Sequence, residues 1–160
     1  MHTTRKIVTS IQNKGETHMN LNKKIEELKQ SNTNLLLIIG QPGSGKSKLM
    51  REYSQDTGIP ILDLDKIFHN VEPEHLLEEM KQFLSTYHQD VLLLDNKKIL
   101  YQKNNSIDLL SFLKEISHHI PVIATWNGMI EDGQIFHFRK DAPENLIYSV
   151  DKEAFMYILC

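Results

Sequence analysis

Arginine is nearly missing from this chain: Arg5, Arg51 and Arg139 are the whole supply in 160 residues, and the formal net charge is -3. That balance gives no global basic footprint for nucleic acid. There is one cysteine, Cys160, which excludes an internal disulfide framework and a zinc site built on cysteines. No apolar run approaches the roughly 20 residues that span a bilayer. The N-terminus also lacks the apolar core of a signal peptide. Together these absences predict a cytoplasmic protein with no membrane partner. No repeat or low-complexity linker divides the sequence, so residues 1–20 read as a polar, non-periodic arm and residues 21–160 as one domain.

Glycine is also sparse, with 7 in the chain, and Gly40, Gly43 and Gly45 fall in one stretch. Gly40-Gln41-Pro42-Gly43-Ser44-Gly45-Lys46-Ser47 follows the apolar run Leu35 to Ile39 and matches G-x-x-x-x-G-K-[ST], the Walker A phosphate loop. Glycines at these positions let successive backbone N–H groups curl around a phosphate. The helix that follows adds its positive N-terminal end. The motif assigns Lys46 to the β and γ phosphates and the Ser47 hydroxyl to Mg²⁺. The whole segment from Gly40 through Lys48 is the expected contact with ATP.

The rest of the chain alternates strand and helix signals. Leu21, Ile25 and Leu28 have helical spacing, and Leu49, Met50 and Tyr53 continue a helix after the loop until Gly58. Ile59 to Leu64 reads as a strand carrying Asp63 and Asp65 near its end. Pro73 is placed for the first turn of a helix with Leu76, Leu77, Met80, Phe83, Leu84 and Tyr87 on its buried stripe. Val91 to Leu94 is the continuous run of a doubly covered parallel strand. Ser106 reads as the cap of a helix with Ile107, Leu110, Leu113 and Ile116 inward. Pro121 to Thr125 gives a further strand, with Asn127-Gly128 as a turn signal after it and Asp132-Gly133 as a second. Gln134 to Phe138 and Leu146 to Val150 read as two strands joined by 139–145, and Ala154 to Leu159 as an apolar tail without clear period, either a last packed element or an intermolecular contact. This order predicts a three-layer α/β domain of the P-loop NTPase type, with a mostly parallel central sheet and a C-terminal hairpin. Ligands in such sheets bind at the carboxyl ends of the strands.

Asp95, delivered by an aliphatic strand, reads as the Walker B carboxylate that holds Mg²⁺ with Ser47. Thr125 ends the next strand, where a polar sensor residue sits in the RecA and AAA-like division that this order resembles. Those ATPases commonly place Glu after the Walker B Asp, but here the neighbour is Asn96. An amide orients water yet cannot accept its proton as a carboxylate does. Asp65, or Asp63, is then the candidate base, against the alternative that both acids only cap the strand and the turn after it. Arg139, at a hairpin end beside Lys140, resembles the position from which RecA-like subunits reach into a neighbour's nucleotide. Lys97, Lys98 and Lys103 follow the Walker B strand and read either as a solvated face or as a DNA contact. His118 and His119 read as a helix terminus in preference to a metal site.

Two other functions compete. Gly40 to Ser47 followed by Ile61-Leu62-Asp63-Leu64-Asp65 is similar to shikimate and gluconate kinases, in which an Asp pair handles substrate and metal. Residues 96–120 contain no Arg, however, and those kinases close an arginine-bearing lid. A nucleotide-sensing module with little hydrolysis is the third reading. Finally, the loop Gly40 to Ser47, Val91 to Asn96, Val122-Ile123-Ala124-Thr125-Trp126-Asn127-Gly128 and the terminal hairpin resemble the BrxF family of small P-loop ATPases from BREX bacteriophage-defence systems, over residues 21–160. The resemblance implies a bacterial, cytoplasmic ATPase using ATP and Mg²⁺. Its partners would be further copies of itself or other defence proteins such as a methyltransferase, and DNA would be its field of action.

Overall fold

Six consecutive buried residues, Leu35–Gly40, form strand β1, an interior strand of the sheet in the computed structural model. The structure describes residues 14–95, 97–100, 108–138, 146–149 and 155–160. Helix α1 (Lys14–Lys29) precedes β1, and α2 (Lys46–Thr57) follows it. Next come β2 (Ile61–Leu62), α3 (Leu64–Ile67), a 3₁₀ turn (Pro73–His75), α4 (Leu76–Ser85) and β3 (Leu92–Leu94). A second 3₁₀ turn (Lys98–Leu100) and α5 (Leu109–Ser117) lead to β4 (Val122–Glu131), β5 (Gln134–His137), β6 (Leu146–Ser149) and β7 (Met156–Leu159).

The main sheet has the order β2-β3-β4-β1-β7, and every neighbouring pair on that path is parallel. Parallel strands need crossovers, and the helices between them supply these while covering the sheet on both faces. Alternation along β1 sends Leu35, Leu37 and Ile39 into one apolar cluster and Leu36 and Ile38 into another. The first cluster is completed by Leu76 and Met80 of α4 and by Leu109, Leu113 and Ile116 of α5. The second is completed by Leu21, Ile25 and Leu28 of α1 and by Leu49, Met50 and Tyr53 of α2. The fold is therefore α/β with a mostly parallel sheet, as expected. Among the described residues no helix is long and apolar enough to cross a membrane.

Five boundaries differ from the sequence reading. Helix α1 starts at Lys14, inside the segment read as an arm. Strand β2 is only two residues long, because the Asp63 carboxylate accepts the Lys66 N–H at 3.2 Å and starts α3 instead. Asp108 occupies the N-cap position of α5, and Ser106 lies outside the described residues. Asn127-Gly128 is not a turn: β4 runs straight through it to Glu131, and the reversal comes at Asp132-Gly133, both with positive φ (52° and 74°). The antiparallel extension β4-β5-β6 is not C-terminal: the tail, of whose two readings the packed element holds, follows it as strand β7, parallel to β1.

Gly128 is where that extension is tightest. A Cβ there would sit on the Phe136 carbonyl oxygen and 2.8 Å from Trp126 Nε1. Trp126 is fully buried, and its Nε1 donates to that same carbonyl at 2.9 Å, the partner a buried indole needs. Gly128→Ala is expected to separate β4 from β5 and to lower stability by about 2 to 4 kcal/mol, the range of overpacking combined with a lost buried hydrogen bond. Urea denaturation of the two proteins measures this, and an unchanged midpoint contradicts the close approach.

Candidate functional site

Strand register assembles the site. Leu37, Ala124 and Leu94 lie in line across β1, β4 and β3. One residue further on, Thr125 and Asp95 emerge together at the carboxyl edge of the sheet. β1 continues to Gly40, which pairs with Asn127, and the chain then turns into the glycine-rich loop.

The loop is built by backbone constraints. Gly43 and Gly45 have φ of 83° and 100°, left-handed values that other residues rarely adopt. Gly45 is also the N-cap of α2 and gives the helix no side-chain cap, which leaves first-turn amides available to a ligand. A Cβ on Gly40 would press on Ser44 Oγ and lie 2.7 Å from the Cys160 carbonyl oxygen. Cys160 is held there because its N–H donates to Ile39 O at 2.7 Å. The Gln41 carbonyl accepts from Ser44 N at 3.0 Å and from Lys46 Nζ at 2.8 Å. Lys46 is thus folded back over its own loop. Its side chain is buried, which pushes its pKa below the usual lysine value, while the Cys160 thiol and Asp95 pull the other way.

Asp95 is the junction. Its Oδ1 accepts from Ser47 Oγ at 3.1 Å and from Thr125 Oγ1 at 2.9 Å. These contacts join the loop helix, β3 and β4. The cleft above them is about 190 Å³. The loop lines it with Pro42, Gly43, Lys46 and Ser47, and the strand ends add Asp95, Thr125 and Asn127. Lys97, Lys98 and His137, the last from β5, complete the lining. Three lysines therefore face the one carboxylate among the described lining residues.

Lys97 reverses an expectation. Neither of the two readings, solvated face or DNA contact, describes it: the side chain is 5 % exposed. Its Nζ donates to Asp95 O at 3.0 Å and to Thr125 Oγ1 at 3.1 Å. Burial brings its pKa down to about 8, with Asp95 opposing, Lys46 reinforcing and Asp65 opposing. Lys98 is exposed, and Lys103 lies outside the described residues.

The candidate base is also placed differently. Asp65 is not among the residues lining the cleft; its Oδ1 accepts the Ile99 N–H at 2.7 Å. Asp63 caps α3. Lys48 is exposed on α2 and does not line the cleft, and Arg51 is exposed on the same helix. Asn96 and Arg139 lie outside the described residues. Asn127 and His137 line the cleft, although the sequence reading did not select them. The strand alternation of Ile135 and His137 was the one available signal for the histidine. The register Gly40↔Asn127 had none, because Asn-Gly resembles a turn.

Comparison with protein-family models, curated proteins and solved structures gives no match. The chemistry must be argued from the cleft itself. Ser47 and Asp95 offer two hard oxygens converging on one point, a set that suits Mg²⁺. Among the described residues no three His, Cys, Asp or Glu side chains converge, so a cation here would take most of its shell from ligand oxygens and water. Lysines and loop amides supply the complementary attraction for an anion.

The buried Lys97 has a consequence for stability. Its folded pKa, about 8, lies below the ordinary 10.5, so between those pH values the unfolded chain carries a proton that the folded chain has lost. Stability contributed by this group therefore rises across that window, and the burden of the buried ammonium is full below it. Relative to Lys97→Met, the wild type is expected to gain up to about 3 kcal/mol between pH 8 and 10.5. Urea denaturation of both proteins across the window checks this, and a pH-independent difference contradicts it.

Proposed function

We propose that this chain is a P-loop nucleoside-triphosphatase domain that binds ATP with Mg²⁺ across the loop Gly40–Ser47 and the carboxyl ends of β1, β3 and β4. The observation that carries the reading is the meeting of Ser47 Oγ with Asp95 Oδ1 at 3.1 Å, 48 residues apart in sequence, beside Lys46 and Thr125. A phosphate-loop sequence alone would not require an acid from another strand to reach its serine. The strand order, with β4 between β1 and β3, supports the RecA and AAA-like division in particular.

Each group has a definable task. The loop amides and Lys46 bind the phosphates, Lys46 exchanging the Gln41 carbonyl for a ligand oxygen. Ser47 and Asp95 would hold Mg²⁺, which when bound neutralises the charge that develops on the phosphoryl oxygens. Thr125 fixes the Asp95 carboxylate. At about 190 Å³ the cleft is smaller than the ~300 Å³ at which sites for whole small molecules begin. It suits a polyphosphate and leaves base and ribose on the open side.

Hydrolysis needs a group that takes the proton of the attacking water and positive charge beyond Lys46. Asp65 is committed to Ile99 N–H, so we propose that turnover depends on a partner, either a second copy of the chain or another protein. The resemblance to the BrxF family extends this to an ATPase of bacteriophage defence. Asp63 accepts from the nearby Lys66 N–H and Asp65 from the distant Ile99 N–H, which disfavours the small-molecule kinase reading, in which such an acid pair must face an acceptor.

Lys46→Ala is expected to weaken ATP·Mg²⁺ binding by about tenfold to a hundredfold, the worth of a charge-assisted contact; calorimetric titration showing unchanged affinity would sink the assignment. Asp95→Ala is expected to weaken binding in the presence of Mg²⁺ several-fold more than in EDTA. Equal losses in the two conditions would remove Asp95 from the metal role.

A further inference from the structure

The phosphate-loop motif accounts for Lys46, Ser47 and Asp95 but leaves Lys97 unexplained. This side chain follows Asp95 by two residues and still turns inward beneath the strand ends, 5 % exposed. Both of its hydrogen-bond acceptors, the Asp95 carbonyl oxygen and Thr125 Oγ1, are neutral dipoles. Among the described residues it makes no ion pair. An ammonium group has three N–H donors, so one remains for a further acceptor.

A buried cation with dipolar partners only is an expensive arrangement unless an anion completes it. Lys97 lines the same cleft as Lys46, so the two like charges share Asp95 as the nearest carboxylate. The loop and Lys46 already serve the part of an anion seated on the loop. Lys97 is held not by the loop but by Asp95, just after β3, and by Thr125 of β4. Charge placed there suits the far end of a polyphosphate.

We infer that Lys97 contacts the terminal phosphate of a bound nucleoside triphosphate and makes the site discriminate triphosphate from diphosphate. The inference rests on the nucleotide-binding reading above and adds a cation supplied by the same chain, in a protein whose arginines are few. Since Lys97 also holds Thr125 Oγ1, its contact couples the ligand's terminal phosphate to the hydroxyl that fixes Asp95.

The test is calorimetric titration of the full chain with Mg²⁺ and either adenylyl imidodiphosphate or ADP, for the wild type, Lys97→Met and Lys97→Gln. The expected result is a loss of at least about tenfold in affinity for the triphosphate analogue in both variants, as for one charged hydrogen bond. Affinity for ADP should stay within about threefold, which also reports that the loop remains folded. Equal losses for both ligands, or no loss for either, would assign Lys97 a structural role and overturn the inference while leaving nucleotide binding intact. A wild type that binds neither ligand would overturn both. Lys97→Gln guards against misfolding of the methionine variant, because its amide can still donate to Asp95 O and Thr125 Oγ1.

Discussion

Two hydroxyl groups donate to one carboxylate oxygen, Ser47 and Thr125 to Asp95, and the site depends on that junction. It joins Ser47 and Asp95, which follow β1 and β3, to Thr125 within β4, so it exists only if the three strands are in register to the residue. A slip of one residue in any of them would turn Asp95 or Thr125 to the opposite face. The alignment of Leu37, Ala124 and Leu94 prevents this, because each is fully buried in the same apolar cluster. Ordinary packing of aliphatic side chains thereby fixes the position of the acid that lines the cleft.

The charges around the junction are unbalanced in one direction. Lys46 and Lys97 are both buried beside one carboxylate, and each is held by neutral oxygens of the protein. Such a cleft is preorganised for an anion, since the donors are in place before the ligand arrives and need little rearrangement. The same imbalance burdens the folded state, as the lowered pKa of Lys97 records. An anion site built this way would trade local stability for binding, and the burden here is electrostatic.

The sequence made the loop, β1, β3 and the first half of β4 legible because each combines a long aliphatic run with a marked end. It hid features whose cause is distant in the chain. Asn127-Gly128 carries a strong turn signal, yet Gly128 is required because the Phe136 carbonyl comes against it, and nothing near residue 128 announces that neighbour. The tail from Phe155 lacks a period because both of its faces are covered: Phe155 belongs to one apolar cluster and Ile158, with Met156 against it, to the other. Burial of Lys97 was equally invisible. Lysine is almost always solvated, and one of this lysine's acceptors lies 28 residues away. Asp63 and Asp65 had two readings in the sequence; the local one holds for Asp63, a helix cap, whereas Asp65 anchors the Ile99 N–H, 34 residues away, which neither reading foresaw.

That anchor also explains how an uncomplemented cation stays in place. Asp65 accepts the N–H of Ile99, in the turn Lys98–Leu100, and the fully buried Leu100 fastens the same turn to the larger apolar cluster. Leu100 N in turn donates to Lys97 O at 3.0 Å, so the backbone of Lys97 is held from both sides, by β3 before it and by the pinned turn after it. A free lysine would swing into water, where its charge is better solvated and its stem gains rotamer entropy. Fixing the backbone leaves the stem a short inward path, and Thr125 Oγ1 and Asp95 O receive it there. Asp65 is thus connected to the cleft without touching it, through the segment that carries Lys97.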